Sequence, residues 1–111
     1  MTTISTEQEL VTLINVFTVA PENQQHLADL LITATQTVMN RLPGFISANI
    51  HKSLDQTHVV NYAQWRTQRD FEAMLQDVEA GAHMREAAAL ALSIEPRLYE
   101  VAFVDTARPP Q

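Results

Sequence analysis

The chain has 111 residues, 46% of them hydrophobic and 18% charged, with a formal net charge of −6. That composition describes one globular domain with a real core rather than a disordered chain, and its 7 Lys and Arg are too few and too scattered to grip phosphates, which argues against nucleic acid as a partner. The absence of Cys excludes disulfides, thiolate nucleophiles, Cys-ligated zinc and iron–sulfur clusters together, and fits a reducing compartment.

Residues 1–9 are polar and are expected to form a flexible N-terminus. They lack the basic start and apolar core of a signal peptide, and no apolar run approaches the ~20 residues that cross a bilayer. A cytoplasmic protein without membrane contact is the expectation. Leu10 to Ala20, LVTLINVFTVA, is rich in β-branched and aromatic residues and predicts a strand. Strand residues alternate between two faces. Val11, Leu13, Asn15, Phe17 and Val19 share one, and Ile14 and Val16 give the other an apolar centre, so both faces should be covered. Pro21 opens a helix where its missing N–H costs little, and Glu22 suits the first turn. Leu27, Leu30, Leu31, Ala34 and Val38 carry the helical period until Arg41-Leu42-Pro43-Gly44 stops it.

Phe45 to Leu54 predicts a second strand, with Ile46, Ala48 and Ile50 on one face and Phe45, Ser47, Asn49 and His51 on the other. Asp55-Gln56-Thr57 is the natural turn. A three-residue loop pairs Leu54 with His58 and sets His51 opposite Asn61; a two-residue loop puts those two on opposite faces. The polar character of both positions favours the first register.

Val59 to Phe71, VVNYAQWRTQRDF, begins as a strand and ends as the start of a helix. Val59, Asn61, Ala63 and Trp65, the only Trp, share one face, so a primary amide and a large ring lie close together. That is a floor for a flat organic molecule. Thr67 is a fair N-cap for a helix with Phe71, Met74, Leu75 and Val78 on one side. Ala80-Gly81 is expected to break it, and His83 to Leu92 to form a second helical segment. Leu98 to Thr106, LYEVAFVDT, predicts the fourth strand, and residues 107–111 a tail. The four Met are scattered and read as packing.

The order strand, helix, strand, strand, helix, strand predicts an α+β, ferredoxin-like fold with helices on one face of a four-stranded antiparallel sheet. Phe17, Phe45, Val59, Trp65, Tyr99 and Phe103 are candidates for the face away from the helices. Such a face needs cover, and a homodimer through the sheets would supply it.

This organisation, with the strings VVNYAQWRTQRDF and LPGFISANIH, resembles the antibiotic biosynthesis monooxygenase family of dimeric α/β-barrel proteins. The resemblance covers roughly residues 10 to 105 of a domain drawn at 10–106, and NYAQW is its most specific part. It implies likeness to small oxygenases of aromatic polyketide pathways, which turn phenolic or anthrone-like rings into quinones with O2 and no metal, haem or flavin. The expected partners are therefore a small aromatic substrate, O2 and a second copy, and the expected cofactors are none. Gly44 and Gly81, the only glycines, are also too few for a dinucleotide fingerprint. The resemblance carries catalytic roles to Asn61, Trp65, His51 and Arg85. Asn61 would hydrogen-bond a developing oxyanion, Trp65 stack on the ring, His51 accept a proton and Arg85 hold a phenolate or carboxylate. Substrate contacts are expected at Phe71, Asn15, Phe17, Asn49 and His83, with Phe71 standing where those enzymes carry a Tyr.

Two other readings stand beside it. Haem-degrading monooxygenases of the same fold use an Asn, a Trp and an axial His; Asn15 and His83 match two of these, but the Trp position falls near Met74. A non-catalytic barrel that binds a small ligand, or an isomerase of a small hydroxyketone, is the third. His83 with Glu86, and His26 with Asp29, have the spacing to share an ion, but neither pair has a third ligand and both read as solvated faces.

Overall fold

The computed structural model describes residues 2–109. Four strands form one sheet: β1 (Val11–Val19), β2 (Phe45–Lys52), β3 (His58–Trp65) and β4 (Ala91–Tyr99). The order across it is β2-β3-β1-β4, and every neighbouring pair is antiparallel. Helices α1 (Gln24–Thr37), α2 (Gln68–Gln76) and α3 (Val78–Leu90) connect them in the split βαβ pattern that the sequence predicts.

The helices cover the face that carries Leu13, Phe17, Val59, Ala63 and Trp65, all at most 4% exposed. Phe17, Phe45, Val59 and Trp65 therefore do not form the outer face. Phe17, Val59 and Trp65 have the expected parity, but the side is reversed, because the helices bury the larger apolar set. The outer face carries Ile14, Val16, Val60 and Tyr62, each half-buried. Part of it is roofed by the N-terminal segment. Gln64 Nε2 donates to the Thr3 carbonyl at 2.7 Å and Thr2 Oγ1 to Asn49 Oδ1 at 2.9 Å, so this end of the chain is tied to the sheet rather than free.

Three boundaries differ from the sequence reading. The helix break falls at Asp77, not Ala80-Gly81. Asp77 is extended (ψ 133°) and its carboxylate accepts from the Ala80 N–H at 2.9 Å, capping a new helix that runs through Gly81. Val78 consequently leaves the face of α2 and is exposed. The fourth strand begins at Ala91 rather than Leu98, because α3 ends directly into it. Pro96 is tolerated there since β4 is an edge strand, where a missing N–H breaks no second ladder. Beyond Tyr99 the described residues form no regular element, and Phe103 is 68% exposed.

The β2–β3 hairpin departs from the expected register. Ile50 pairs with Asn61 and His51 with Val60. The loop between the Ser53 and His58 backbone contact is Leu54 to Thr57, four residues long, so parity shifts by one and His51 turns to the outer face. Gln56 takes the left-handed conformation (φ 68°). The Asp55 carboxylate accepts from Thr57 Oγ1 (2.6 Å), Ser53 Oγ (2.7 Å) and the Thr57 N–H (3.0 Å). Buried Gln24, at the start of α1, donates to the Ser53 and His58 carbonyls and docks the loop. A bulge at Ile46 resets the other end of β2. It moves Phe45 from the face of Ser47 to that of Ala48 and Ile50.

Small residues set the helix-to-sheet distance. Ala80 and Ala87 are at most 1% exposed, with Met84 between them on one face of α3. Gly44 has φ +82°, and a Cβ there would collide with Asp70. Its carbonyl accepts from the Arg66 N–H at 2.7 Å, joining the ends of β2 and β3.

The two glycines should respond oppositely to Ala substitution in urea denaturation. Gly44→Ala meets both the left-handed penalty and the Asp70 collision, and should lose about 2 kcal/mol or more. Gly81→Ala meets only Arg85 Nη1, at 3.5 Å, and should gain about 0.5–1 kcal/mol.

The hydrogen bonds from Thr57 and Ser53 lower the Asp55 pKa from 3.8 to about 2. A group depressed in the folded state stabilises it above its unfolded value, so this contribution is complete above 3.8 and lost as pH falls through about 2. Asp55→Asn should flatten the fall of the melting temperature across that window and leave its slope above pH ~5 unchanged.

Candidate active site

Between sheet and helices lies a cavity of about 440 Å³. Leu13, Phe17, Phe45, Trp65, Phe71 and Met74 are among its walls, and Ile94, Pro96 and Leu98 border it along β4. Of the sequence-predicted site residues, Asn61, Trp65, Arg85, Phe71, Asn15 and Phe17 line this one space. His51, Asn49 and His83 do not. His51 is exposed on the outer face, with Nδ1 3.1 Å from the Asn49 carbonyl. Asn49 lies on that face too, donating to the Tyr62 carbonyl at 3.0 Å. His83 is half-buried on α3, away from the lining.

Asn15 and Asn61 are directly opposite each other on the two central strands. Side chains so paired are separated by roughly 5 Å at Cβ. Asn15 is 8% exposed, and the Oδ1 atoms of both residues are buried without a hydrogen-bond partner among the described residues. An unpartnered buried acceptor costs about 1–3 kcal/mol. Two side by side in an apolar cavity mark a place prepared for a polar group from outside the chain. Each amide can turn N–H or C=O toward that group, so the pair suits a carbonyl, a phenol or a phenolate.

Trp65 is held edge-on by two rings. Phe45 lies 5.5 Å away at 87°, and Phe71 6.3 Å away at 69°. These are favourable edge-to-face geometries. At 2% exposure Trp65 is mostly wall, and it presents little free face for a ligand to stack on.

Arg85 and Arg97 are the only charged residues in the lining. Arg97 is paired with Glu95 at 3.2 Å, both well exposed, a contact that contributes little. Arg85 makes no ion pair or hydrogen bond among the described residues. Its Nη1 runs back along α3 past Gly81, whose missing side chain leaves that path open. No His, Asp, Glu, Lys, Tyr or Cys lines the cavity. No cluster of three potential metal ligands occurs among the described residues, and no helix among them is long and apolar enough to cross a membrane.

The sequence reading missed two kinds of lining residue. Phe45 reaches the cavity only through the Ile46 bulge. Met39, Met74 and Met84, all the methionines among the described residues, converge here although they are distant in sequence. Two of them carry a periodic signal: Met74 shares the apolar side of α2 with Phe71, and Met84 repeats with Ala80 and Ala87 along one face of α3.

The fold and cavity define a ferredoxin-like α+β protein with an apolar site under its helices, polar at one spot on the sheet. The chain belongs to the antibiotic biosynthesis monooxygenase family, whose pattern it matches over residues 10–89. It is 49% identical over 83 residues to the tetracenomycin-F1 monooxygenase of Streptomyces glaucescens, a match covering 75% of this chain and 74% of that one. It superposes on the ActVA-Orf6 monooxygenase of Streptomyces coelicolor, solved with nanaomycin D, with a TM-score of 0.76 at 26% identity, covering 89% of this chain and 93% of that one. For SnoaB of Streptomyces nogalater, a cofactor-independent oxygenase, the TM-score is 0.67 at 26% identity, covering 92% and 96%.

Proposed function

We propose that the protein is a monooxygenase that oxidises a phenolic or anthrone-like polycyclic substrate to a quinone with O2, without metal, haem or flavin. The observation that carries this reading is the pair of unpartnered amides, Asn15 and Asn61, inside an apolar cavity whose only charges are cationic. Its likeness to a monooxygenase named for tetracenomycin F1 and to a cofactor-independent oxygenase supports it.

In this reading the substrate supplies its own electrons. The amides hydrogen-bond the substrate oxygen and favour its anion. Arg85 at the rim adds positive charge. The electron-rich anion passes one electron to O2, and the resulting radicals combine to form a carbon–oxygen bond. The hydroperoxide so formed loses water to leave the new carbonyl. Substrate plus O2 gives quinone plus water, so no external reductant is needed. The apolar walls exclude water from the reacting carbon.

No titratable base borders the cavity, so stabilisation of the anion lets the proton pass to solvent water at the rim beside exposed Arg85, and a proton returns from there to the peroxide anion to complete the hydroperoxide. His51, expected from the resemblance to accept it, faces the other side of the sheet. The haem-degrading alternative loses its axial ligand, since His83 is outside the lining. Phe71 offers no hydroxyl, so substrate orientation rests on the amide pair and on shape.

The expected homodimer belongs to this proposal. Ile14, Val16, Val60 and Tyr62 on the outer face, and Phe103 beyond β4, are the apolar surface a second copy would cover. Sedimentation equilibrium at micromolar concentration should give a dimer; a folded monomer would reject that part.

The catalytic reading is tested by aerobic turnover of a panel of anthrones and hydroxylated naphthacenes after chelator treatment. Asn61→Ala should cut kcat by about 10²- to 10³-fold, with a smaller change in KM. His51→Ala should stay within about 2-fold, since it touches nothing in the cavity. A large loss in His51→Ala, or near-normal turnover in Asn61→Ala, would overturn the assignment of roles.

A further inference from the structure

The mechanism gives the three cavity methionines no part, yet they are all the methionines among the described residues and all border the same space. A thioether is both a conformable filler and a two-electron reductant. The cavity offers no other group of that reactivity, since Cys is absent from the chain. Met39 and Met74 are 7% exposed and locked in the cluster around Trp65. Met84 differs. It is half-buried, and it packs against both core clusters, the one around Trp65 and the one around Phe17. It thus lines the cavity while touching both clusters that wall it, next to Arg85 in sequence.

We propose that Met84 is a turnover-dependent oxidation site: the thioether in the cavity that intercepts the substrate hydroperoxide when water loss is late. This rests on the monooxygenase reading above. The sulfur attacks the terminal oxygen of the hydroperoxide. The O–O bond breaks, an S–O bond forms, and the alkoxide that leaves takes up the proton as an alcohol. Sulfur is oxidised by two electrons and the hydroperoxide is reduced by two. The sulfoxide is polar where the wall was apolar, and it touches both clusters, so each event degrades the site. The device limits how long one enzyme molecule works, and it is reversible by a sulfoxide reductase.

The test uses the full-length protein and has two arms. In the first, the enzyme turns over an anthrone under heavy-isotope dioxygen, and peptides are read by mass spectrometry. Heavy oxygen should appear on Met84, in proportion to quinone formed, ahead of Met39 and Met74. Met84→Leu, compared with wild type after each is normalised to its own initial rate, should complete several-fold more turnovers before inactivation. Label absent from Met84 after full conversion, equal label without substrate, or an unchanged number of turnovers in Met84→Leu would overturn the proposal. In the second arm hydrogen peroxide alone is the oxidant. Met84 should oxidise before Met39 and Met74, and a non-oxidisable anthraquinone in the cavity should slow it. Any other order overturns the proposal. Quinone yield separates the two readings: no quinone in the first arm counts against the monooxygenase, whereas the second arm decides the accessibility of Met84 without turnover.

Discussion

The register of β1 against β3 is the constraint on which the site depends. It sets Asn15 opposite Asn61, with Leu13 opposite Ala63 on one side and Phe17 opposite Val59 on the other. A slip of β1 by one residue would turn Asn15 outward, away from Asn61, and bring Ile14 and Val16 under the helices. The apolar neighbours prevent that slip. Burial of Phe17, Leu13 and Val59 contributes about 1.5–3 kcal/mol each, against about 1–3 kcal/mol for each unpartnered amide oxygen. The flanking residues thus hold in place a polar pair that would not choose that position by itself. The two amides are therefore set in position at folding rather than at binding, which is what preorganisation means here.

The helices then decide the shape of the space. Ala80 and Ala87 let α3 approach the sheet, and Met84 between them keeps it from closing completely. The Asp77 cap separates α2 from α3 and starts the second helix early enough for Gly81 and Arg85 to lie one turn apart on it. Phe71 on α2 and Phe45 beside the bulge fix the Trp65 ring from two sides. The aromatic triad is therefore a wall whose orientation is set before any ligand arrives. Edge-to-face contacts of this kind are worth about 0.5–1.5 kcal/mol beyond area, enough to bias one orientation of the ring in a confined site.

Much of this was legible in the sequence, and the losses have physical causes. Period-2 patterning along LVTLINVFTVA and VVNYAQW was sufficient to bring Asn15, Phe17, Asn61 and Trp65 to single faces. Thr67 as N-cap was equally readable, and its Oγ1 does accept from the Asp70 N–H at 3.0 Å. What parity cannot tell is which face the helices choose, since both faces of β1 are apolar. The hairpin register turned on one residue of loop length, and a three-residue turn and a four-residue turn read alike in SLDQTH. That single residue removed His51 from the site. The bulge at Ile46 carries no local signal, because its bulged residue is neither glycine nor polar. The helix break falls at Asp77 rather than at Ala80-Gly81 because Asp is a strong N-cap, while a Gly inside a helix is tolerated at a modest cost. LYEVAFVDT has strand character beyond Tyr99 that finds no partner strand within one chain.

The position of the charges bears on how such a site selects its substrate. The chain as a whole is acidic, at −6, yet the cavity borders no carboxylate and two guanidiniums. In the proposed reaction a neutral hydrophobic ring system enters without a charge to desolvate, and its ionised form gains more from Arg85 and the amides than the neutral form does. Binding and activation are thereby divided. The apolar walls hold the neutral molecule and its anion about equally, which affects affinity alone. In the proposed reaction the amide pair and Arg85 act on charge that develops afterwards, which affects rate. A substrate whose phenol or benzylic carbon is already acidic needs no base from the protein. The absence of Tyr, His and Glu from the lining then removes groups that would take up the proton reversibly and leave a buried charge beside the reacting carbon. On the proposed mechanism, selectivity follows from the acidity of the ring as much as from its shape.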